Sequence, residues 1–308
     1  MLGIGNIGKL GRLGQSANKS AAKRILDIFS TSQVATNVQI PLTLNTQIGK
    51  TVYIDFGDGS SLVECVGTMV DFTYTSNYTT AGDFNVKLSG NYSSITGFKI
   101  INTNAVITFP KGVKNLKNLK SLDTFYLSGL LNLTATGAII DFPRVTNYFS
   151  LYNLQNLTAT GDIIDFPRVI NWFYLYNVPN LTATGLISDF PRVTGTFYLV
   201  SLPKLTATGL ISDFPPVTGT LFITNCQNIS LTIDTPPIWK NTTITLHVGL
   251  TTEQVNNFVK LWAQVTEDGG VKNVNIAGNN EPLNESDPDV AAALQILAEK
   301  NKILAYNI

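Results

Sequence analysis

At 308 residues the chain is long enough for two or three domains and a substantial core. Charged residues make up only 14% against 44% apolar, and the 21 Lys and Arg balance the 21 Asp and Glu, so no overall field draws the chain to nucleic acid or acidic lipid. No stretch reaches the roughly 20 apolar residues of a membrane-spanning helix. Cys65 and Cys226 are too few for a disulfide framework and read as small buried hydrophobes.

Residues 1–33 concentrate positive charge, with Lys9, Arg12, Lys19, Lys23 and Arg24 against Asp27 alone. They open as the apolar string Met1-Leu2-Gly3-Ile4-Gly5-Asn6-Ile7-Gly8, with further glycines at Gly11 and Gly14. So many glycines give freedom and nothing to bury, so only a short helix over 17–29 is expected, with Ile25, Leu26 and Phe29 on one face. Two readings stay open: a disordered tail, or an arm that orders against a partner through Leu2, Ile4, Ile7, Leu10 and Leu13. Gly and Asn interrupt the string and Lys9 and Arg12 follow closely, so an export signal is not expected.

Residues 34–108 alternate as strands do, at Val38-Gln39-Ile40, Thr51-Val52-Tyr53-Ile54, Phe72-Thr73-Tyr74 and Phe84-Asn85-Val86-Lys87-Leu88. Turn chemistry separates them at Gly57-Asp58-Gly59-Ser60 and Ala81-Gly82-Asp83, which predicts a small β-sandwich. The Tyr53-Ile54-Asp55-Phe56-Gly57-Asp58-Gly59 turn, followed by Tyr78-Thr79-Thr80-Ala81-Gly82-Asp83-Phe84-Asn85-Val86, resembles the PKD family of immunoglobulin-like domains. That resemblance covers about 55 residues and implies a spacer or interaction module without a catalytic centre. Asp55 and Asp58 are expected to accept turn N–H groups in preference to a cation.

Residues 109–240 are expected to form a solenoid. The phrase Leu-Thr-Ala-Thr-Gly recurs four times at a 24-residue interval, from Leu133, Leu157, Leu181 and Leu205. Asp-Phe-Pro follows it each time, with Asp141, Asp165, Asp189 and Asp213 marking the period. A fixed period of this length means stacked turns, each burying its apolar face on the next. With the opening Val113-Lys114-Asn115-Leu116-Lys117-Asn118-Leu119, the frame resembles the leucine-rich repeat family. It departs at the usual Asn step, which holds Asn153 and Asn177 in some turns but Gly129 and Ser201 in others. Pro in every turn and the β-branched Thr run therefore predict an extended or 3₁₀ convex side in place of helices.

Residues 241–308 change style. A strand over 243–248 leads to the capping box Thr251-Thr252-Glu253-Gln254 and a helix carrying Val255, Phe258, Val259 and Trp262. A strand over 271–277 precedes a second helix, capped by Ser286-Asp287-Pro288 and bearing Val290, Ala293, Leu294 and Leu297, and a strand over 303–308 closes the chain. This α/β block suits a terminal cap that covers the last turn. Through Leu250-Thr251-Thr252-Glu253-Gln254-Val255 and Val274-Asn275-Ile276-Ala277-Gly278-Asn279-Asn280 it is similar to C-terminal domains of phage fibre and tail proteins with leucine-rich-like repeats.

Reactive constellations are hard to find. The single histidine, His247, has no Cys or acidic neighbour in sequence, and no phosphate loop, nucleophile elbow or zinc spacing is present. No cofactor or metal is expected. The four Asp precede Phe-Pro at a corner, where capping backbone N–H groups explains their repetition, and Arg144, Arg168 and Arg192 stand three positions on. Strand alternation points Phe125/Leu127, Phe149/Leu151, Phe173/Leu175, Phe197/Leu199 and Leu221/Ile223 inward. The outward positions form three files: Thr124, Tyr148, Trp172, Thr196, Thr220; Tyr126, Ser150, Tyr174, Tyr198, Phe222; and Ser128, Tyr152, Tyr176, Val200, Thr224. Tyr126, Tyr148, Tyr152, Trp172, Tyr174, Tyr176, Tyr198 and Phe222 are thus expected to make one contact field. Two uses stay open, a saccharide- or receptor-binding face and an interface with another copy, and the interface is favoured because so many rings are costly in water.

The fold class expected is mainly β: an N-terminal arm, a PKD-like sandwich, a leucine-rich-repeat-like solenoid and an α/β C-terminal cap. The function expected is that of a non-enzymatic virion structural protein, a head or tail fibre or spike subunit assembled in the host cytoplasm. Its arm would contact other virion proteins and its subunits would form a homo-oligomer, a trimer for preference; nucleic acid and membrane are not expected partners, while a host glycan or protein is. The alternatives are a bacterial surface adhesin and, further off, a polysaccharide depolymerase using Asp165 and Asp189.

Overall fold

The computed structural model describes residues 25–33, 38–76, 78–120, 122–234, 243–264 and 273–308. The expected anchoring positions Leu2, Ile4, Ile7, Leu10 and Leu13 lie outside these residues, as does most of the helix expected over 17–29. The structure is mainly β, with two long sheets whose later strands are all parallel, a β-solenoid-like arrangement.

Each 24-residue turn contributes one strand to each sheet. In one turn, Trp172–Tyr176 joins the front sheet and Thr182–Leu186 the back sheet, and the 3₁₀ turn Ile187–Asp189 leads to the Phe190-Pro191 corner. Both strands obey a period of two, with Phe173 and Leu175 buried from the front strand, and Ala183 from the back strand with Leu181 just before it. The side of each repeat expected to be convex is extended and 3₁₀, as the prolines and β-branched residues dictate.

The core between the sheets holds two ladders of phenylalanine. Phe98, Phe125, Phe149, Phe173 and Phe197 stack along the front sheet with centroids 5.9, 5.7, 5.8 and 5.5 Å apart. The corner residues Phe142, Phe166 and Phe190 meet that stack edge-on at 5.4, 5.2 and 5.2 Å. Edge-to-face and offset contacts of this kind add to the burial of each ring. Both ladders lock the turns in register, Phe149 opposite Phe173 and Phe173 opposite Phe197.

The irregular Asn step has a backbone explanation. Gly129, Asn153, Asn177, Ser201 and Asn225 occupy the same corner, all with φ between 50° and 62°. Glycine and asparagine tolerate this left-handed conformation best. The repeat keeps a backbone conformation there; the residue type follows from it.

The N-terminal part is an antiparallel sandwich, and both of its sheets run on into the solenoid. In front, Pro41–Thr46 pairs with Ile95–Ile101, which pairs in parallel with Leu122–Ser128. Behind, Leu26–Gln33 lies between Gly82–Gly90 and Val106–Thr108, and the latter pairs in parallel with Leu133–Ala138. Both sheets therefore cross the boundary expected at 108/109, and one hydrophobic core is continuous through it.

Leu26–Gln33 corrects the helix expected up to residue 29 and shortens the expected flexible arm: it is a strand inside the back sheet. The cause is a register shift between Asp27 and Phe29. The bulge turns Leu26, Ile28, Phe29 and Thr31 to the core together, so a strand acquires apolar residues three apart, the spacing of a helix.

At the other end, Thr243–His247, Asn273–Asn275 and Ile303–Ala305 extend the front sheet in parallel. Helix α1 (Thr252–Gln264) begins at a reciprocal capping box, the Thr251 N–H donating to Gln254 Oε1 at 2.9 Å and the Gln254 N–H to Thr251 Oγ1 at 3.3 Å. Helix α2 (Pro288–Glu299) has Asp287 as N-cap and Pro288 at its first turn. Val255, Phe258, Val259 and Trp262 from α1 and Val290, Ala293 and Leu297 from α2 join the common core. Buried Asn280 braces the loop before α1, accepting from the N–H groups of Val248, Gly249 and Leu250 and donating to the carbonyls of Leu246 and Ile276. Among the described residues, no helix is long and apolar enough to cross a membrane.

Candidate functional site

The outward residues of the front sheet stand in the three files expected. Tyr148 pairs across to Trp172, Tyr174 to Tyr198, Tyr198 to Phe222, and Tyr152 to Tyr176. Parallel strands about 4.8 Å apart bring rings in one file to stacking distance. Tyr174 stacks on Tyr198 at 4.7 Å and Tyr198 on Phe222 at 5.1 Å. Tyr152 stacks on Tyr176 at 4.6 Å, and Tyr148 meets Trp172 edge-on at 5.3 Å. Tyr174 also lies 6.1 Å from Tyr152 and 6.3 Å from Tyr176, which ties two files together.

Stacking changes the solvent cost inferred from the sequence. Trp172 is 51% exposed, whereas the tyrosines and Phe222 are only partly exposed, and Tyr152, Tyr174, Tyr176, Tyr198 and Phe222 cover one another's faces. The rings therefore shield one another, and the face stands in water at less expense than separate rings would. Burial, reinforced by the surrounding tyrosines Tyr198, Tyr152, Tyr176 and Tyr126, pushes the Tyr174 phenol up to about 12. Its hydroxyl thus stays protonated and able to donate at neutral pH. Asn171 Nδ2 donates to Tyr148 Oη at 2.9 Å and orients that ring.

One file is broken. Where Tyr126, Tyr174, Tyr198 and Phe222 carry rings, the intervening strand carries Ser150. The gap opens into a cavity of about 530 Å³, floored by Ser150 and walled by Tyr126, Tyr148, Tyr152, Trp172 and Tyr174. Tyr126 stacks on no other ring among the described residues. Ser150 is 7% exposed and its Oγ has no hydrogen-bond partner. Lys99 and Ile101 close one end from the strand preceding the repeats, and the Lys99 ammonium is paired with the Asp71 carboxylate. This cavity was not read from the sequence. Its signal was present in the file of outward residues, where one small hydroxyl interrupts a run of rings.

Most of the other residues considered for chemistry have structural partners. Asp189 Oδ2 accepts the Leu186 N–H at 3.0 Å and Asp213 Oδ2 the Leu210 N–H at 3.1 Å, the corner capping expected of that ladder. Asp141 pairs with Lys117 at 3.1 Å. Arg168 donates to the carbonyls of Ile164 and Asp189, and no Arg–Asp ion pair forms among the described residues. Asp165 lines a separate cleft of about 830 Å³ with Arg144 and Arg168, apart from the aromatic face. In the sandwich, Asp55 and Asp58 accept the N–H groups of Gly57 and Ser60 at 2.8 and 3.0 Å. His247 Nε2 bonds Asn275 Oδ1 at 3.0 Å. Cys65 and Cys226 are buried free thiols, and burial pushes them up to about 11 and about 12, so both are inert as nucleophiles.

Comparison with known protein families, with curated proteins and with solved structures finds no match. The functional reading therefore rests on the site itself.

Proposed function

We propose that the chain is a non-enzymatic structural and binding protein of a bacteriophage particle, a head or tail fibre or spike subunit. The aromatic front of the solenoid is its contact surface toward the host or a neighbouring subunit. The observation that carries this reading is the in-register field of eight rings on one sheet face, held on a stiff doubly laddered core. Tyr and Trp give rigid contact area with a polar handle at little entropic cost, which suits a recognition surface. The capping duties of Asp189 and Asp213 weigh against a carboxylate pair for hydrolysis.

The finer architecture belongs to the same proposal: a PKD-like module as spacer, a leucine-rich-repeat-like solenoid as display element, and residues 241–308 as its cap. The phage assignment is supported by the resemblance of 250–255 and 274–280 to fibre and tail proteins. Repeated copies on an oligomer would turn weak single contacts into useful avidity, and the virion is the location this role implies. Electron microscopy of particles decorated with antibody against residues 120–225 tests the assignment. Label on fibres or spikes is the expected result; unlabelled particles overturn it.

A further inference from the structure

We propose that the break in the aromatic file at Ser150 is a binding subsite for one neutral sugar ring, held between Tyr126 and Tyr174. This rests on the contact-face reading above and names the ligand class for one part of it. Tyr126 and Tyr174 flank Ser150 one strand away on either side, so their strands stand about 9.6 Å apart. The intact part of the file shows what a ring needs there: successive centroids are 4.7 and 5.1 Å apart. The strand spacing therefore leaves room for one further flat ring, stacked on both sides, once the side chains that cover the buried Ser150 hydroxyl turn aside.

Chemistry selects the kind of ring. A pyranose has two faces of C–H bonds and a rim of hydroxyls, and matches aromatic jaws with polar groups at their edges. Tyr126 and Tyr174 supply the jaws, Tyr148 and Trp172 one side wall and Tyr152 the other. The phenols and the indole N–H can meet rim hydroxyls. The floor adds an independent indication, since the Ser150 hydroxyl is buried without a partner, and such a group in a folded protein calls for a bound water or ligand. A sugar hydroxyl satisfies it as the flanking tyrosine rings turn aside. Charge selects neutrality: the cation at the end of the cavity, Lys99, is already held by Asp71. The volume, about 530 Å³, falls in the range of small-ligand sites with mostly aromatic linings, roughly 300–1,000 Å³.

The test uses the full chain, titrated calorimetrically and by saturation-transfer NMR with glucose, galactose, mannose, rhamnose, N-acetylglucosamine, N-acetylgalactosamine and their β-linked disaccharides. At least one is expected to bind with a roughly millimolar Kd. Ser150→Tyr restores the ring that other turns carry, fills the slot and should weaken binding at least about tenfold. Tyr126→Ala removes one jaw without touching the core and should weaken it by a similar factor, which guards against a Ser150→Tyr chain that fails to fold. Absence of binding by every sugar at concentrations on the order of 10 mM, or binding indifferent to both substitutions, overturns the subsite. Loss of self-association in Ser150→Tyr without sugar binding by the parent chain also overturns it, and assigns the slot to a protein side chain. Adsorption of particles carrying Trp172→Ala with Tyr174→Ala reads the broader claim separately. If adsorption falls while no sugar binds, the subsite fails and the contact face stands; if sugar binds while adsorption is unchanged, the subsite stands and the contact face fails.

Discussion

The two faces of the solenoid are cut from the same repeat and differ in what they hold constant. Behind, Leu-Thr-Ala-Thr-Gly is written identically four times, and Thr134, Thr136, Thr158, Thr160, Thr182, Thr184, Thr206 and Thr208 present a uniform lawn of hydroxyls. In front, the buried Phe and Leu hold steady while the outward residues drift among Thr, Ser, Tyr, Trp, Val and Phe. Fold requirements act on both faces alike, so they explain the constancy and leave the drift unexplained. The corners drift too, as at Ala138, Asp162, Leu186 and Leu210, but on the front the drift falls on the outward files themselves, which fits the contact surface proposed for them.

The largest effect should come from striking what both faces share. Phe173 is fully buried and packs against Phe149, Phe166, Phe190 and Phe197, so Phe173→Ala should cost about 3–5 kcal/mol in denaturant unfolding. Retention of stability within experimental error would show that the Phe ladders do not couple the sheets. Next comes the back corner. Gly209 has φ +155°, and an added Cβ would lie 3.0 Å from Ile187 Cβ. Gly209→Ala should therefore cost about 1–3 kcal/mol, with no effect on binding by the front face.

A smaller and opposite change is expected at Ser150. Ser150→Ala removes a buried hydroxyl that has no partner, and should leave stability unchanged or raise it by up to about 1 kcal/mol. A clear loss of stability would mean the hydroxyl is satisfied in solution. The least effect is a pH dependence confined to alkali. The Tyr174 phenol, raised to about 12 in the fold by burial first, ionises at about 10 in the unfolded chain. Its contribution is complete below pH 10 and is lost as pH climbs toward 12, because the unfolded state gives up the proton first. Tyr174→Phe should flatten the fall in melting temperature across that window.

Much of the solenoid is legible from the chain because period two within strands and period 24 between turns are both explicit. The inward pairs and the outward files follow from those two counts alone. The sandwich is less legible. Leu26–Gln33 hides behind a bulge that mimics helical spacing, and Ile95–Ile101, which carries the front sheet into the first repeat, belongs to no period. The cavity is missed for a related reason. Ser150 is inconspicuous among 308 residues, and becomes informative only when strand register sets it between Tyr126 and Tyr174. Lys99 and Ile101 reach it from outside the repeats altogether.

The contrast between the faces is tested most directly by the adsorption rate of particles carrying matched double substitutions. Trp172→Ala with Tyr174→Ala disturbs the front, and Thr158→Ala with Thr182→Ala disturbs the back. The front pair should slow adsorption at least about tenfold with the fold intact by circular dichroism, and the back pair should leave it unchanged. Equal rates for the two pairs, or a loss confined to the threonine pair, would contradict the assignment of the aromatic face as the contact surface.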